Sequence, residues 1–184
     1  RECVNPQQPA PRLLLAADHG ESKQIVATAK VIPYAAPDDS LRRIEALAGA
    51  VVGVEPLPAR RVGVILTSSE AGRAKTIEHL DGPIRSRVEE LGSEVAAMLT
   101  VAHTEAAVAA AVSDLASQGM DAIIVAGETS IMDVNDITPR GIVGAGGQIE
   151  GYGVPAEPGN LLLLAYLDGR PVLGAPGCVR SRHT

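Results

Sequence analysis

Residues 121–139 run DAIIVAGETSIMDVNDITP, an apolar, β-branched segment that ends in glycine, hydroxyl residues and carboxylates ahead of a Thr-Pro pair. A short apolar run bounded by polar residues and glycine predicts a strand buried on both faces. Thr138-Pro139 then predicts a helix start, with Thr138 as N-cap and Pro139 at the first helical position. Small residues at such a strand end allow backbone N–H groups to turn toward an anion. Asp133 and Asp136 lie beside that anion loop, where a bare carboxylate would repel a phosphate. Such a pairing persists when Mg²⁺ bridges the two, or when the carboxylate accepts hydrogen bonds from another part of the ligand.

The same alternation extends on both sides. VGVILT (62–67) is a buried strand, and a helix is expected from Pro83, with Ile84, Val88 and Leu91 on one face and Gly92 as its stop. EVAAMLTV is a second strand, and TEAAVAAAVSDLASQG an Ala-rich helix with Thr104 as N-cap and Gly119 as C-cap. The helix at Thr138 should end among Gly144, Gly146 and Gly147. NLLLLAYL and RPVLGAP flank Asp168-Gly169, a strong hairpin signal. Repeated strand–helix units predict an α/β fold with three layers, α/β/α, around a mostly parallel sheet with one antiparallel hairpin. Upstream, IVATAKVIPYA (25–35) predicts a strand, DDSLRRIEALAG a helix capped by Asp38 or Asp39, and VEPLPARR a Pro-rich connector. Residues 1–60 are therefore expected to be a lead-in segment with a strand and a helix, and 61–184 the main domain.

Composition narrows the function classes. The chain has 184 residues, no Phe, no Trp and three Tyr, so its core must be aliphatic. The net charge of −6, with Lys and Arg scattered, argues against a nucleic-acid surface. Apolar runs are far shorter than a bilayer span and RECVNPQQPAPR has no signal-peptide core, so the expectation is a cytoplasmic protein with no membrane segment. Two cysteines, Cys3 and Cys178, give neither a disulfide framework nor a metal pair.

In open α/β sheets, ligands bind beyond the carboxyl ends of the strands. Three loops qualify: Thr67 to Gly72, the segment from Gly127, and Pro176-Gly177-Cys178. None carries GxGxxG or GxxxxGK[ST], and GETSIM is not a GxSxG elbow. His19, His79, His103 and His183 are dispersed and taken as surface residues, which leaves Ser-based hydrolysis without a base. Asp81, ahead of Gly82-Pro83, is expected in a loop after a strand. Asp136 is near enough to Thr138-Pro139 to assist capping, whereas Asp133 has no local duty and is the first candidate carboxylate.

On the segments ILTSS, HLDGP, GETSIMDVNDITP, AEPGNLLLLAYLDGRPVLG and APGCVRS, residues 61–178 resemble the molybdopterin-binding domain of the MogA/MoeA type, shared by molybdopterin adenylyltransferase and molybdotransferase. PGNLLLL, RPVLGAPGC and VATAKVIPYAAP are similar to the subgroup fused to a molybdenum-cofactor nucleotidylyltransferase. The resemblance implies a domain, often trimeric, that binds molybdopterin or its adenylylated form at the strand-end loops, with Mg²⁺ and ATP in the catalytic members. A nucleotidylyltransferase module or a molybdoenzyme would be the partner. Carried over by position, Thr67 and Ser68 lie in the first ligand loop. Gly127, Glu128, Thr129 and Ser130 form the phosphate-side loop. Asp133 and Asp81 are the catalytic carboxylates, Asp133 being the Mg²⁺ ligand, and Asp136 is a further carboxylate at the ligand. Pro158, Gly159, Asn160, Pro176 and Gly177 shape the remaining wall. The sequence departs from the family at Glu128, in place of a glycine, at Asn160, where Lys is common, and at Cys178, in place of Asn. These departures favour binding over catalysis, because a developing transition-state charge needs its full set of donors and cations.

Overall fold

Strand β1 (Arg61–Ser68) carries the apolar run RVGVILTS and is buried from Val62 onward. Alternation along it sorts the core into two halves. Val62, Val64 and Leu66 face one cluster with Leu80, Ile84 and Val88, and Ile65 faces the other with Val108, Val112, Leu115 and Ile142. The computed structural model describes residues 38–39, 42–43, 56–153 and 159–181. The chain divides into two units, Arg1–Val54 and Glu55–Thr184. Of the lead-in, Asp38, Asp39, Arg42 and Arg43 are helical, with Arg42 paired to Asp38 at 3.2 Å. The strand expected at 25–35 lies outside the described residues.

The second unit holds β1, α1 (Arg73–Glu90), β2 (Glu94–Ala102), α2 (Glu105–Ser117), β3 (Ala122–Gly127), α3 (Ile137–Gly144), β4 (Gln148–Tyr152), β5 (Leu163–Leu167), β6 (Arg170–Gly174) and a short 3₁₀ turn, Gly177–Arg180. The sheet order is β2-β1-β3-β6-β5-β4. β2, β1, β3 and β6 run parallel, and β5 is antiparallel to both β6 and β4. The cluster on one face contains α1 residues and that on the other α2 and α3 residues, which gives the expected three layers. No described helix is long and apolar enough to cross a membrane.

Several local expectations hold. Thr104 caps α2, its hydroxyl accepting from Ala107 N at 3.3 Å, and Gly119 follows the helix at φ +73°. Asp168 and Gly169 both have positive φ, 50° and 76°, as the two-residue turn between β5 and β6 demands. Others are corrected. α1 begins at Arg73, ten residues before Pro83, which sits inside the helix. An internal proline costs about 3 kcal/mol. Burial of Thr76, Leu80, Pro83, Ile84 and Val88 along one stripe offsets this, each large apolar side chain contributing about 1.5–3 kcal/mol. Gly82, having no Cβ, removes part of the clash ahead of the proline ring. The N-cap position of α3 is Asp136 instead of Thr138, without a side-chain cap bond; Thr138 and Pro139 lie within its first turn and are buried. Pro139 is tolerated there because first-turn N–H groups have no partner in the helix. Strand β4 was not anticipated: QIEGY is an edge strand with Ile149 and Tyr152 as its only half-buried side chains.

Candidate functional site

Parallel packing brings the carboxyl ends of β1, β2, β3 and β6 to one edge of the sheet, where four loops emerge side by side. Thr67 is the register partner of Gly127, and Ser68 that of Ala102. The pairing continues past the strands through His103 N to Ser68 O at 3.1 Å, Glu128 N to Thr67 O at 2.9 Å and Ala175 N to Val125 O at 2.8 Å.

Thr67 is completely buried. Its Oγ1 meets His103 Nδ1 at 3.1 Å, and His103 Nε2 meets Thr129 Oγ1 at 3.3 Å. A half-buried imidazole thus links one hidden hydroxyl to one exposed hydroxyl across β1, β2 and β3. Gly127 makes this possible, since a Cβ there would lie 2.3 Å from Thr67 Oγ1.

Glu128 does not reach into open space. Its Oε2 accepts from Ser69 N at 2.8 Å and Ser69 Oγ at 2.9 Å, and Ser69 Oγ accepts in turn from Gly72 N at 3.0 Å. The carboxylate takes the donors that the loop before α1 would present to an anion. Arg180 braces the same segment, donating to Gly127 O at 3.0 Å and Glu128 O at 2.5 Å. The Ser69 backbone and hydroxyl donors, with smaller help from His103 and Arg180, hold the Glu128 carboxyl below its ordinary value of 4.5. A depressed folded value means the clasp contributes above the unfolded pKa and is lost as pH falls through the folded one. Glu128→Gln should therefore lower the denaturation midpoint at neutral pH. The gap to wild type should close in acid below pH 4.5; urea titrations over a pH series check this.

The loop from Ser130 to Asp136 folds on itself. Asp136 Oδ2 accepts from Met132 N at 2.7 Å and Asp133 N at 3.1 Å, so its side chain closes the loop instead of capping α3. Asp133, expected to have no local duty, forms an Asx turn, with Oδ1 accepting from Asn135 N at 2.7 Å and Asn135 Nδ2 at 2.8 Å. Tyr152 donates to Ile131 O at 3.1 Å, and burial, then the charges of Asp136 and Asp133, push its phenol above the ordinary value of 10.0. It remains a donor at neutral pH and ties the loop to β4.

These loops enclose a cleft of about 260 Å³ lined by His103, Thr129, Ser130, Ile131, Met132, Asp136, Ile137 and Thr138. Of the expected residues, Thr129, Ser130 and Asp136 line it. Thr67 backs it through His103, and Gly177 lies against Ser130, whose Oγ would be 2.4 Å from a Cβ at position 177. Pro176 begins the turn that carries Gly177. Gly159 and Asn160 belong to the turn between β4 and β5, closed by Leu162 N to Gly159 O at 2.9 Å; Pro158 lies outside the described residues. Asp81 is corrected from a loop to the middle of α1, paired with Arg85 at 2.7 Å. Eight residues separate it from the helix start, about 12 Å along the axis. Among the described residues no group of three or more His, Cys, Asp or Glu could hold a metal ion. Asp133, exposed and engaged by Asn135, forms no such group with its neighbours.

Two residues went unrecognised in the sequence. His103 is grouped with the surface histidines in the sequence, although it lies two residues beyond the strand EVAAMLTV, at the strand end where ligands bind. Arg180, within the quoted segment APGCVRS, holds the carbonyls of Gly127 and Glu128 and so braces the loop after β3.

Comparison with known proteins agrees with this architecture. No curated protein matches the sequence. Among solved structures, a CinA protein of unknown function from Thermoplasma acidophilum superposes with a TM-score of 0.54 at 14% identity, over 68% of this chain and 92% of that one. A molybdopterin biosynthesis moeA protein from Pyrococcus horikoshii gives a TM-score of 0.44 at 20% identity, over 65% of this chain and 30% of that one. A second moeA structure from that organism gives 0.37 at 15% identity, over 77% and 34%. The chain thus spans about a third of the length of the moeA chains. Residues 63–184 match the family described as probable molybdopterin binding domain, and the chain belongs to that family.

Proposed function

We propose that this domain binds molybdopterin or the finished molybdenum cofactor in the strand-end cleft, in cofactor biosynthesis or delivery. The observation that carries this reading is the cleft's mixed lining. Ile131, Met132 and Ile137 offer an apolar wall for a flat ring, and His103, Thr129 and Ser130 offer polar groups for an anionic end. Asp136, already accepting at Oδ2, has a second oxygen for a pterin N–H. Residues 61–184 are the ligand-binding part in this reading and 1–60 a lead-in. A homotrimer, and a nucleotidylyltransferase module or molybdoenzyme as recipient, belong to the same proposal.

Glu128 favours holding the ligand over adenylylating it with MgATP. Its carboxylate occupies the donors of the loop before α1 that a nucleotide phosphate would need, and the Asp133 carboxylate is engaged by Asn135. The two readings separate in one anaerobic experiment with molybdopterin and MgATP, read by calorimetry and product analysis. Saturable binding without adenylylated product is expected. Asp136→Ala should weaken it about tenfold or more, the worth of one charged hydrogen bond. Product that disappears in Asp133→Ala would establish the enzyme instead, and absence of binding would refute both.

A further inference from the structure

The bridge Thr67–His103–Thr129 carries a consequence for what the cleft can accept. A neutral imidazole has one donor and one acceptor nitrogen, whereas the cation has two donors. With the proton on Nδ1, His103 donates to buried Thr67, and Nε2 must accept from Thr129, turning the Thr129 hydroxyl proton away from the cleft. With both nitrogens protonated, Thr129 Oγ1 accepts from Nε2 and its own proton is free to point into the cleft. The cation therefore converts the Thr129 hydroxyl into a donor and adds a positive charge at the same wall.

The geometry points to His103 as the residue that selects the anionic group of the ligand, by taking up a proton when the ligand binds. This rests on the ligand reading above and adds a specific determinant to it. The ligand chemistry is that of a phosphate ester or similar oxyanion, which needs donors and tolerates no acceptor beside it. Charged groups stand on the elements that neighbour the strand ends. From the loop after β3 come Glu128, whose charge His103 helps to stabilise, and Asp136, which shares the cleft wall. Glu105, at the start of α2, is neutralised by Arg140 at 3.1 Å. Arg73 of α1 is turned to Thr100 O of β2 at 3.3 Å, and Arg180 is held on the carbonyls of Gly127 and Glu128. The arginines are directed at other acceptors, so the imidazole that bridges Thr67 and Thr129 is the group on this wall that can offer the ligand either one donor nitrogen or two.

The test is anaerobic calorimetry with molybdopterin, for wild type and His103→Gln, in two buffers of different ionisation enthalpy. The pH series covers the range of about 5–8 in which imidazole changes charge. Wild type should take up a fraction of a proton on binding, and its affinity should fall with rising pH more steeply than the variant's, by at most about tenfold per pH unit. Glutamine retains a donor and an acceptor without titrating, so His103→Gln should bind with no proton uptake at this position. The phosphate's own titration is common to both proteins and cancels in the comparison. Equal affinity and equal pH dependence would overturn the role of His103 while leaving the ligand reading intact. If molybdopterin gives no heat, the ligand reading fails and inorganic phosphate becomes the probe. A phosphate-dependent shift in the His103 ring resonances would still support anion selection, and its absence would overturn that as well.

Discussion

Gly141→Ala is expected to destabilise the domain by about 2–3 kcal/mol, near the upper end for overpacking a well-filled core. The position lies in α3 where it crosses α2, and an added Cβ would fall 2.6 Å from Val108 Cβ, 2.7 Å from Val108 Cγ1 and 3.0 Å from Glu105 O. None of these atoms can step aside. Val108 is completely buried against Ile142, and the Glu105 carbonyl belongs to the first turn of α2. The helices must separate, which opens the core between them and the sheet. Gly144→Ala, one turn on, is the internal control. Its Cβ would meet only Ala109 Cβ at 3.5 Å, an ordinary contact, so the gain in helix propensity should leave stability unchanged or raised by up to about 0.5 kcal/mol. Urea unfolding of both variants checks the pair, and equal destabilisation would show that the Val108 contact is not the cause.

The sheet was legible because its strands agree at several levels. β1, β3 and the β5–β6 hairpin combine apolar runs with turn chemistry that admits one solution, down to the positive φ at Asp168. The first half of α1 was not, because Gly82-Pro83 carries the strongest breaker signal in that segment and only tertiary burial overrides it. β4 escaped because an edge strand covered on one side needs few apolar residues.

The site divides in the same way. Thr67, Gly127, Thr129 and Ser130 follow from strand ends and parallel topology, both visible in the sequence. Where a polar side chain turns is decided by partners distant along the chain. Glu128 stands where the resembling family has a glycine in the phosphate-side loop, yet its carboxylate turns to Ser69, 59 residues upstream, and closes the loop before α1. Asp133 was singled out for lacking a local duty, yet Asn135, two residues on, provides one. The second case was available to sequence reasoning, since Asx turns are local; the first needed the fold.

Gly127→Ala should have the largest effect on ligand binding. The new Cβ would lie 2.3 Å from Thr67 Oγ1 and 3.3 Å from Thr67 O. Thr67 is buried in β1, which is paired on both sides, so its backbone cannot retreat, and its hydroxyl must rotate or the loop after β3 must lift. Rotation breaks the bond to His103 Nδ1, releases the ring and removes its contact with Thr129. Lifting moves Thr129 and Ser130 away from the cleft they line and weakens the pairing of Glu128 N with Thr67 O. Either path removes one or two oriented donors, so molybdopterin affinity should fall about 10–100-fold, taking about 1.5–3 kcal/mol per charged hydrogen bond. Stability should fall by about 1–3 kcal/mol from the overpacking itself. Thr67→Val separates the two effects: it keeps the volume near Gly127 but deletes the hydroxyl, so it should weaken binding through His103 while leaving the loop after β3 in place. Calorimetry and unfolding of both variants decide the matter. Full affinity in Thr67→Val would mean that the buried hydroxyl does not orient His103, and the loss in Gly127→Ala would then belong to loop displacement alone.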